Sequence, residues 1–303
     1  MPYWFRYFDI LPLRLWLVIL LFVLFAWVGR VAFGRWQRAG LVVASYNIRY
    51  DNPDDGTNRW SLRKERLVRE LMAQQAGVIG MQEVLHGQLQ ELRQLMPARY
   101  QWVGVGRDDG REAGEYAPIV YDSLRFRLLQ QGVFWLSETP ERPSKGWDAA
   151  LPRICTWVRL RENGTDRELV LANTHFDHRG KVARQEAARV LSERLGPVAR
   201  GVPAILTGDF NIDEDNPAYA VLTRPARPEW ITWIDAYRTV HPERRPDEAS
   251  FNGFKNVTRG SRIDFVFHTR HFRASAAAID RFSRDGRFPS DHYPVTAVLE
   301  AVP

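Results

Sequence analysis

The sequence has very little sulfur chemistry. One cysteine, Cys155, and four methionines occur in 303 residues. A single cysteine excludes an intrachain disulfide, and without clustered cysteines or histidines the chain does not look like a zinc protein. Cys155 lies in the strand-like stretch of residues 154–158, so we expect it to be a small buried core residue.

The chain also lacks internal repeats, low-complexity stretches and a large excess of charge. The formal net charge is +6, but five arginines and one aspartate in residues 1–40 account for +4 of it. The rest of the chain is therefore nearly neutral, and composition gives little support for a duplex-binding surface. Any site for a polyanion must be a local patch. The length allows one large α/β domain and a short extra segment.

A long apolar run occurs at the N-terminus, from Leu15 to Gly29, between Arg14 and Arg30. As a helix the run is about 22 Å long, short of the roughly 30 Å core of a bilayer. Flanking apolar residues and snorkelling arginines extend its reach. We predict a single-pass membrane anchor through residues 10–34, with the rest of the chain on the extracytoplasmic side.

Two alternatives stay open for this segment. A cleaved signal peptide, with a small-x-small site at Ala32-Phe33-Gly34, would give a secreted protein, although Trp27 and Arg30 count against it. A buried soluble helix would need a core on every side. We divide the chain into residues 1–40, the anchor or signal segment with its linker, and residues 41–303, the catalytic domain.

Apolar runs of strand length alternate with helical patterns after residue 40. The strand-like runs are Leu41–Ile48, Val78–Gln82, Ile119–Tyr121, Val133–Leu136, Thr156–Leu160, Leu169–Thr174, Ala204–Thr207, Ile263–Phe267 and Val295–Leu299. Helical periodicity is found in Arg59–Gln75, Leu85–Leu95 and Lys181–Leu195. Several runs are continuously apolar, which is typical of sheets buried on both faces. The pattern predicts a layered α/β domain.

Polar residues of unusual type stand at the ends of these apolar runs. They are Asn47, Glu83, His175, Asp209, Asn211, Asp264, Asp291 and His292. Each alone is typical of a turn or a cap, but so many at strand ends indicate an active site. Oxygen ligands without clustered cysteines favour Mg²⁺ or Mn²⁺ as cofactor. Phosphoester hydrolysis needs such a metal, an activated water and donors to the phosphoryl oxygens.

Six short motifs carry these residues. In chain order they are Ser45-Tyr46-Asn47-Ile48-Arg49, Gln82-Glu83-Val84, Asn173-Thr174-His175, Thr207-Gly208-Asp209-Phe210-Asn211, Arg262-Ile263-Asp264 and Ser290-Asp291-His292. The ordered set resembles the endonuclease/exonuclease/phosphatase superfamily, the DNase I-like proteins, over residues 41–303. The resemblance implies an α/β (α+β) fold: a four-layer α-β-β-α sandwich of two mostly antiparallel sheets, here preceded by a hydrophobic helix.

The resemblance implies a metal site and a water-activating group. Asn47, Glu83 and Asp291 would bind the metal ion, with Glu83 as the principal ligand. Asp209 would orient or deprotonate the attacking water, or hold a second metal ion.

The resemblance also implies the groups that contact phosphate. Asn211 and His175 would contact the scissile phosphate. His292 would stabilise the pentacovalent charge or act as acid or base, and Asp264 would hold its tautomer.

Three further residues are weaker candidates for substrate binding. Tyr116 would reach the phosphate, and Glu115 would orient His175. Arg153, in the segment that precedes a predicted strand, would touch the substrate. The alternative for that segment is a plain hairpin loop.

The resemblance implies a metal-dependent hydrolase of phosphoester bonds, and the motifs narrow the subfamily. Abasic-site endonucleases carry a lysine shortly after the Gln-Glu motif, where this chain has Val84-Leu85. Inositol-phosphate phosphatases carry a tryptophan at the position of Leu206. A bacterial-type phosphodiesterase or nuclease fits better. We predict a monomer that cleaves a phosphodiester in nucleic acid or in a phospholipid head group.

Three alternatives to a nuclease remain. A sphingomyelinase-like phospholipid phosphodiesterase would be held beside its substrate by the anchor. A phosphomonoesterase would use the same metal chemistry. A catalytically dead binding module is opposed by the intact set of Glu83, Asp209, Asn211, Asp291 and His292.

Overall fold

The computed structural model describes residues 40–302, in which two six-stranded sheets pack face to face. The first sheet consists of β1 (Leu41–Asn47), β2 (Val78–Gln82), β3 (Tyr100–Val103), β4 (Ile119–Asp122), β11 (Phe272–Ile279) and β12 (Val295–Ala301), in the order β11-β12-β1-β2-β4-β3. The second consists of β5 (Phe126–Trp135), β6 (Ile154–Glu162), β7 (Glu168–His175), β8 (Ala204–Asp209), β9 (Ile234–Asp235) and β10 (Asp264–His268), in the order β5-β6-β7-β8-β10-β9.

Most neighbouring strands are antiparallel. Each sheet has one parallel pair, β1 with β2 and β7 with β8, near its centre. Both faces of these central strands are covered by other layers of the fold, which explains why several of them are continuously apolar.

Helices flank the sheets, most of them on the outer faces, and the last of them packs through Ala236 into the apolar layer between the sheets. They are a 3₁₀ helix (Pro53–Asn58), α1 (Trp60–Ala73), α2 (His86–Leu95), α3 (Lys181–Val198), α4 (Pro217–Thr223) and α5 (Ala236–Val240). Leu67 and Leu71 of α1 pack with Ile79 of the first sheet, and Leu191 of α3 packs with Leu206 of the second. A separate apolar layer lies between the sheets. The predicted four-layer sandwich is thus confirmed.

The face between the sheets changes from apolar to polar towards one end. Alternate residues of a strand point to the same face. On the inner face of four central strands, alternate residues change in the same order along the strand. An apolar residue comes first, then a small or neutral polar residue, and last a residue of the predicted site or, in β2, the residue just before Glu83. These series are Val43-Ser45-Asn47, Val78-Gly80-Gln82, Leu171-Asn173-His175 and Ile205-Thr207-Asp209. The site is therefore the last layer of the sandwich interior.

Asn173 joins the two sheets in the polar layer. Its Nδ2 donates to the Met81 carbonyl at 2.6 Å and to the Pro118 carbonyl at 3.0 Å. Its Oδ1 accepts from Gln82 Nε2 at 2.7 Å and from Thr207 Oγ1 at 3.0 Å. Both hydrogens and both lone pairs of this buried amide are thus engaged, mainly with the opposite sheet.

Gly80 makes this close approach possible. A Cβ atom at this position would lie 2.0 Å from Thr207 Oγ1 and 2.4 Å from Asn173 Oδ1. Any larger residue at position 80 would force the sheets apart or displace the Asn173 amide.

The structure departs from the sequence prediction mainly in the edge strands and short helices. β5 begins at Phe126, whereas the sequence predicted a strand only from Val133. It is an edge strand that is only partly buried, and its polar residues obscured the strand pattern. β11 was not predicted, since its run of small residues has weak strand preference, and it is held by pairing with β12. Cys155 is buried, as expected.

The N-terminal predictions concern residues that the structure does not describe. The anchor through residues 10–34, the signal-peptide alternative and the localisation that follows from them stay predictions. Within residues 40–302, no helix has the length and apolar character needed to cross a membrane.

A buried acid on α1 makes stability depend on pH. Glu70 Oε2 accepts a hydrogen bond from the Tyr46 hydroxyl at 2.9 Å inside the layer between α1 and the first sheet. Burial raises the pKa of Glu70 from 4.5 to about 8, against the opposing effect of the Tyr46 hydrogen bond. The native state therefore binds this proton more tightly than the unfolded chain does.

We expect Glu70→Gln to remove the resulting pH dependence. Because the folded-state pKa of Glu70 is raised from 4.5 to about 8, its stabilising contribution is full below the lower value and is lost as pH rises through the upper one. The free energy of unfolding of the variant should rise relative to wild type between these limits, by roughly 1.4 kcal/mol for each pKa unit. Urea unfolding at pH 4, 7 and 9 measures this difference. The exposed Glu65→Gln on the same helix is the control, and an identical pH trend in both variants would contradict the assignment.

Candidate active site

The predicted site residues converge at one end of the sandwich. They come from the ends of β1, β7 and β8, from the residue after β2, from the start of β10 and from the segment before β12. Strand register sets three of them side by side, because Asp209 pairs with His175 in the parallel ladder and with Asp264 in the antiparallel one. The fold thus gathers residues that are far apart in the sequence.

Asn47 connects the two sheets within the site. Its Nδ2 donates to Glu83 Oε1 and to Asp209 Oδ2, both at 3.0 Å. Its Oδ1 accepts from the Arg49 amide at 2.9 Å, and the Tyr50 amide donates to Glu83 Oε2 at 3.1 Å. The loop after β1 therefore folds around its own strand-terminal amide and holds the Glu83 carboxylate.

Glu83 and Asp291 could hold a divalent cation, whereas Asn47 turns its Nδ2 atom, and not its Oδ1 atom, towards Glu83. Burial raises the pKa of Asp291, and the nearby Glu83 charge raises it further, while His292 and Arg49 oppose the shift. Arg49 Nε is 3.9 Å from Asp291 Oδ2, and its guanidinium is already committed to Asp55. Two neighbouring acids with incomplete charge compensation suit a hard, oxygen-preferring ion such as Mg²⁺ or Mn²⁺.

Asp209 and Asn211 form a tight turn after β8. The Asn211 amide donates to Asp209 Oδ1 at 3.0 Å, and Asn211 Nδ2 donates to the Phe176 carbonyl at 3.0 Å. Asn211 has a φ of 50° and Glu83 a φ of 61°, in the left-handed region that non-glycine residues seldom adopt. These backbone conformations turn both side chains back towards the site.

His175 is held in its neutral form. Asn211 Nδ2 lies 3.1 Å from His175 Nε2, and since an amide nitrogen only donates, Nε2 accepts and Nδ1 carries the proton. Burial and the nearby Arg153 and Arg107 lower the pKa of His175 well below its ordinary value. Asp209 Oδ2 is 3.5 Å from the same Nε2 atom.

His292 differs from His175 because its surroundings favour the charged form of the ring. Its Nδ1 lies 2.9 Å from Asp264 Oδ2, and its Nε2 lies 3.7 Å from Asp209 Oδ2. Burial disfavours the imidazolium, but the Asp264 and Asp209 charges outweigh it and raise the pKa of His292 well above its ordinary value. Ser250 Oγ accepts from the Asp264 amide at 3.1 Å, which fixes the start of β10.

Asp209, Asp264 and His292 also form a buried group in which one ligand atom of each lies within 4.8 Å of the others. A metal ion there would compete with the Asp264–His292 hydrogen bond. Burial and the Asp264 charge raise the pKa of Asp209 to about 7, with His292 opposing the shift. The arrangement therefore suits a water-orienting acid beside a charged histidine at least as well as a second metal site.

Two further side chains, of which the sequence analysis did not single out Arg63, hold the loops of the site together. Arg63 of α1 is buried and donates to the carbonyls of Ile48 and Pro289. Ser290 Oγ donates to the Asn47 carbonyl at 2.7 Å. These contacts join the loop after β1 to the segment that carries Asp291. An arginine on an amphipathic helix gives no signal of such a role, because it reads as a solvated residue.

The three weaker candidates lie beside His175. Glu115 Oε2 is 3.8 Å from His175 Nδ1, and Glu115 pairs with Arg107 through two contacts of 2.7 and 2.9 Å. The Tyr116 hydroxyl donates to the Arg111 carbonyl and contacts His86, so it is already engaged with its own loop. Arg153 is buried near Asp177. The sequence did not point to Arg107, which lies in a loop rich in charged residues.

Comparisons with known proteins agree with this geometry. The model of the Endonuclease/Exonuclease/phosphatase family matches residues 44–292. A solved member from Bacteroides thetaiotaomicron has a TM-score of 0.81 and 35% identity, over 87% of this chain and 98% of that one. A mannosyl-6-phosphatase from the same species has a TM-score of 0.78 and 37% identity, over 86% and 99%.

Among curated proteins, nocturnin of Drosophila melanogaster is 22% identical over 89% of this chain and 46% of its own length. The chain spans less than half the length of the curated relatives it matches. The family match covers most of the chain, and the related structures include a phosphatase. The chain therefore belongs to the endonuclease/exonuclease/phosphatase family.

Proposed function

We propose that this chain hydrolyses phosphomonoesters of small hydroxylated compounds, by attack of water on phosphorus and with Mg²⁺ or Mn²⁺ as cofactor. The observation that carries the proposed chemistry is the position of Asp209. Its Oδ2 atom lies between two histidines of opposite character, 3.5 Å from the neutral His175 and 3.7 Å from the charged His292. Such a pair of environments separates acid and base roles in one site.

Asn47, Glu83 and Asp291 are the residues that we assign to the metal ion. Bound there, the ion would neutralise charge on the phosphoryl oxygens and so favour attack at phosphorus. Asn47 would offer its Oδ1 atom, which now accepts from the Arg49 amide. Arg49 and the backbone amide of Tyr50 would keep the carboxylates oriented.

The protein groups supply the remaining steps. Asp209 orients the attacking water and accepts its proton, since burial and the Asp264 charge raise the pKa of Asp209 to about 7, close to neutral pH. Asn211 and His175 lie against the phosphoryl group, and the Asn211 Nδ2 contacts with the Phe176 carbonyl and with His175 Nε2 hold His175 in place there. His292, held by Asp264, offers its Nε2 proton to the negative charge that develops in the transition state.

The relatives and the charge distribution support the substrate class. The mannosyl-6-phosphatase is 37% identical over almost its whole length, so a sugar phosphate is the natural first substrate to test. Outside residues 1–40 the formal charge of the chain is close to zero, and a long nucleic acid would gain little from it.

A phosphodiester substrate is the second candidate. Phe251 is 47% exposed, and its ring centre lies 5.1 Å from that of His292. An exposed aromatic ring beside a catalytic histidine would stack on a nucleobase, and nucleic acid is one substrate that the sequence favoured. A phospholipid head group would also need a membrane surface, which depends on the predicted N-terminal anchor.

We expect Asp209→Asn to lower kcat by roughly 10³-fold or more without lowering the melting temperature. The substitution keeps the shape of the side chain and removes the proton acceptor. It also removes a buried carboxylate whose ionisation is unfavourable, so thermal stability should stay equal or rise. Steady-state kinetics and thermal unfolding of the same preparations measure both effects.

His268→Gln is the matched control for Asp209→Asn. His268 is a buried histidine at the other end of β10 from Asp264, and its Nδ1 contacts the Thr269 carbonyl. This variant should keep the wild-type kcat. Near-normal turnover of Asp209→Asn would remove Asp209 from the mechanism.

Removal of divalent ions and a substrate panel test the cofactor and the substrate class. EDTA should abolish hydrolysis, and Mg²⁺ or Mn²⁺ should restore it. The panel contains mannose 6-phosphate, single-stranded oligonucleotides and sphingomyelin vesicles. We expect the sugar phosphate to give the highest kcat/KM. Preferred cleavage of the oligonucleotide would overturn the monoester proposal and favour a nuclease, and full activity in EDTA would overturn the metal assignment.

A further inference from the structure

A small pocket opens beside His175, on the side away from Asp209. It has a volume of about 10 Å³, which is the space of a single water-sized group. Its walls are Arg107, Glu115, Tyr116, Arg153, Ile154 and His175. The pocket shares its histidine with the proposed phosphate site, so a group bound there would belong to the same substrate.

Arg153 brings an incompletely used cation to this pocket. The residue is 4% exposed. Its Nε lies 3.4 Å from Asp177 Oδ2, and its Nη2 lies 3.1 Å from His178 Nδ1. Its buried Nη1 has no hydrogen-bond partner among the residues that the structure describes. An arginine buried this deeply normally has its donors paired, so the free Nη1 is notable.

The neighbouring acids are committed elsewhere. Asp177 Oδ1 accepts from the amides of Arg179 and Gly180, at 2.9 and 2.7 Å. Glu115 is held by both terminal nitrogens of Arg107. The charges of Glu115, Asp177 and Asp209 partly compensate Arg153, but the direct contact that it makes with an acid, at 3.4 Å to Asp177, leaves Nη1 unused.

His175 offers a second unused donor at the same place. In its neutral form the proton is on Nδ1, and this buried atom has no hydrogen-bond partner within residues 40–302. The nearest acid oxygen, on Glu115, is 3.8 Å away. Arg153 and His175 both line the pocket, and each has one buried N–H group without a hydrogen-bond partner among residues 40–302.

We propose that this pocket binds an anionic oxygen of the substrate, with Arg153 as the main donor and His175 Nδ1 as the second. The inference rests on the proposed function and deepens it. The phosphate of a diester has two non-bridging oxygens, and the metal site and His292 would engage them. A monoester carries a third terminal oxygen and a second charge. Arg153 is therefore the residue that selects a doubly charged substrate over a diester.

The oxygen has two possible sources with the same chemistry. It is either the third terminal oxygen of the phosphoryl group or an acidic substituent on the alcohol part. Fructose 6-phosphate and fructose 1,6-bisphosphate distinguish them. If only the bisphosphate becomes a poorer substrate without Arg153, the oxygen belongs to the substituent.

The test compares Arg153→Met with wild type in the full chain. The probes are p-nitrophenyl phosphate, bis(p-nitrophenyl) phosphate and inorganic phosphate as competitive inhibitor. Loss of a charge-assisted hydrogen bond should lower kcat/KM for the monoester roughly 10- to 100-fold and raise the inhibition constant of phosphate similarly. The diester should lose much less. Arg153→Lys, which keeps the charge, should recover part of the loss.

Arg159→Met is the matched control. Arg159 lies on the same strand, β6, and its Nε donates to Glu168 at 2.7 Å on the partly exposed face. It should behave as wild type with every probe. If Arg153→Met does not fold, as judged by thermal unfolding, the same comparison is made with Arg153→Lys alone.

Equal losses with the monoester and the diester would overturn the proposal, and so would unchanged kinetics of Arg153→Met with p-nitrophenyl phosphate, fructose 6-phosphate and fructose 1,6-bisphosphate together. A wild-type enzyme that cleaves only diesters would overturn the proposed function instead. Inorganic phosphate inhibition separates the two failures, because the pocket predicts weaker inhibition of Arg153→Met whichever ester is hydrolysed.

Discussion

The active site depends on one buried amide, that of Asn173, which bridges the two sheets. It connects β7 to the backbone of the first sheet at Met81 and Pro118 and to the side chain of Gln82. Gly80 leaves the space for this contact. The bridge fixes the distance between the sheets one layer below the site, and only then can the Asn47 amide reach Asp209 on the opposite sheet at 3.0 Å.

The charges of the site are divided between its two sides. Glu83 and Asp291 lie on the side of the first sheet, where we propose the cation, and Asp209 and Asp264 lie on the second sheet. Arg153 and Arg107 lie behind His175 on the other side, and burial together with their charges lowers the pKa of His175 well below its ordinary value. A phosphoryl group placed between a bound cation and these arginines would be stabilised from both directions. His292 completes the pattern, because Asp264 compensates its charge and leaves Nε2 for the reaction.

The sequence predicted the central parts of this structure and missed its periphery, for physical reasons. Strands such as β1 and β8 are continuously apolar and end in polar residues, so both their position and their role were visible. β11 was hidden because pairing with β12, and not its own composition, holds it in place. The contacts of Arg63 with the carbonyls of Ile48 and Pro289 depend on the tertiary fold and have no local signature. The same is true of the pairing of Arg107 with Glu115.

The left-handed backbone of Glu83 and Asn211 has a consequence for engineering. Each conformation costs on the order of 1–3 kcal/mol, and the buried carboxylate of Asp209 adds to the cost. Thermal stability and turnover therefore make opposite demands on the same few positions. A directed-evolution library that is selected only for heat resistance would collect substitutions in this layer and drift towards well-folded, inactive proteins. Useful stabilised variants would have to come from selections that score catalysis in every round.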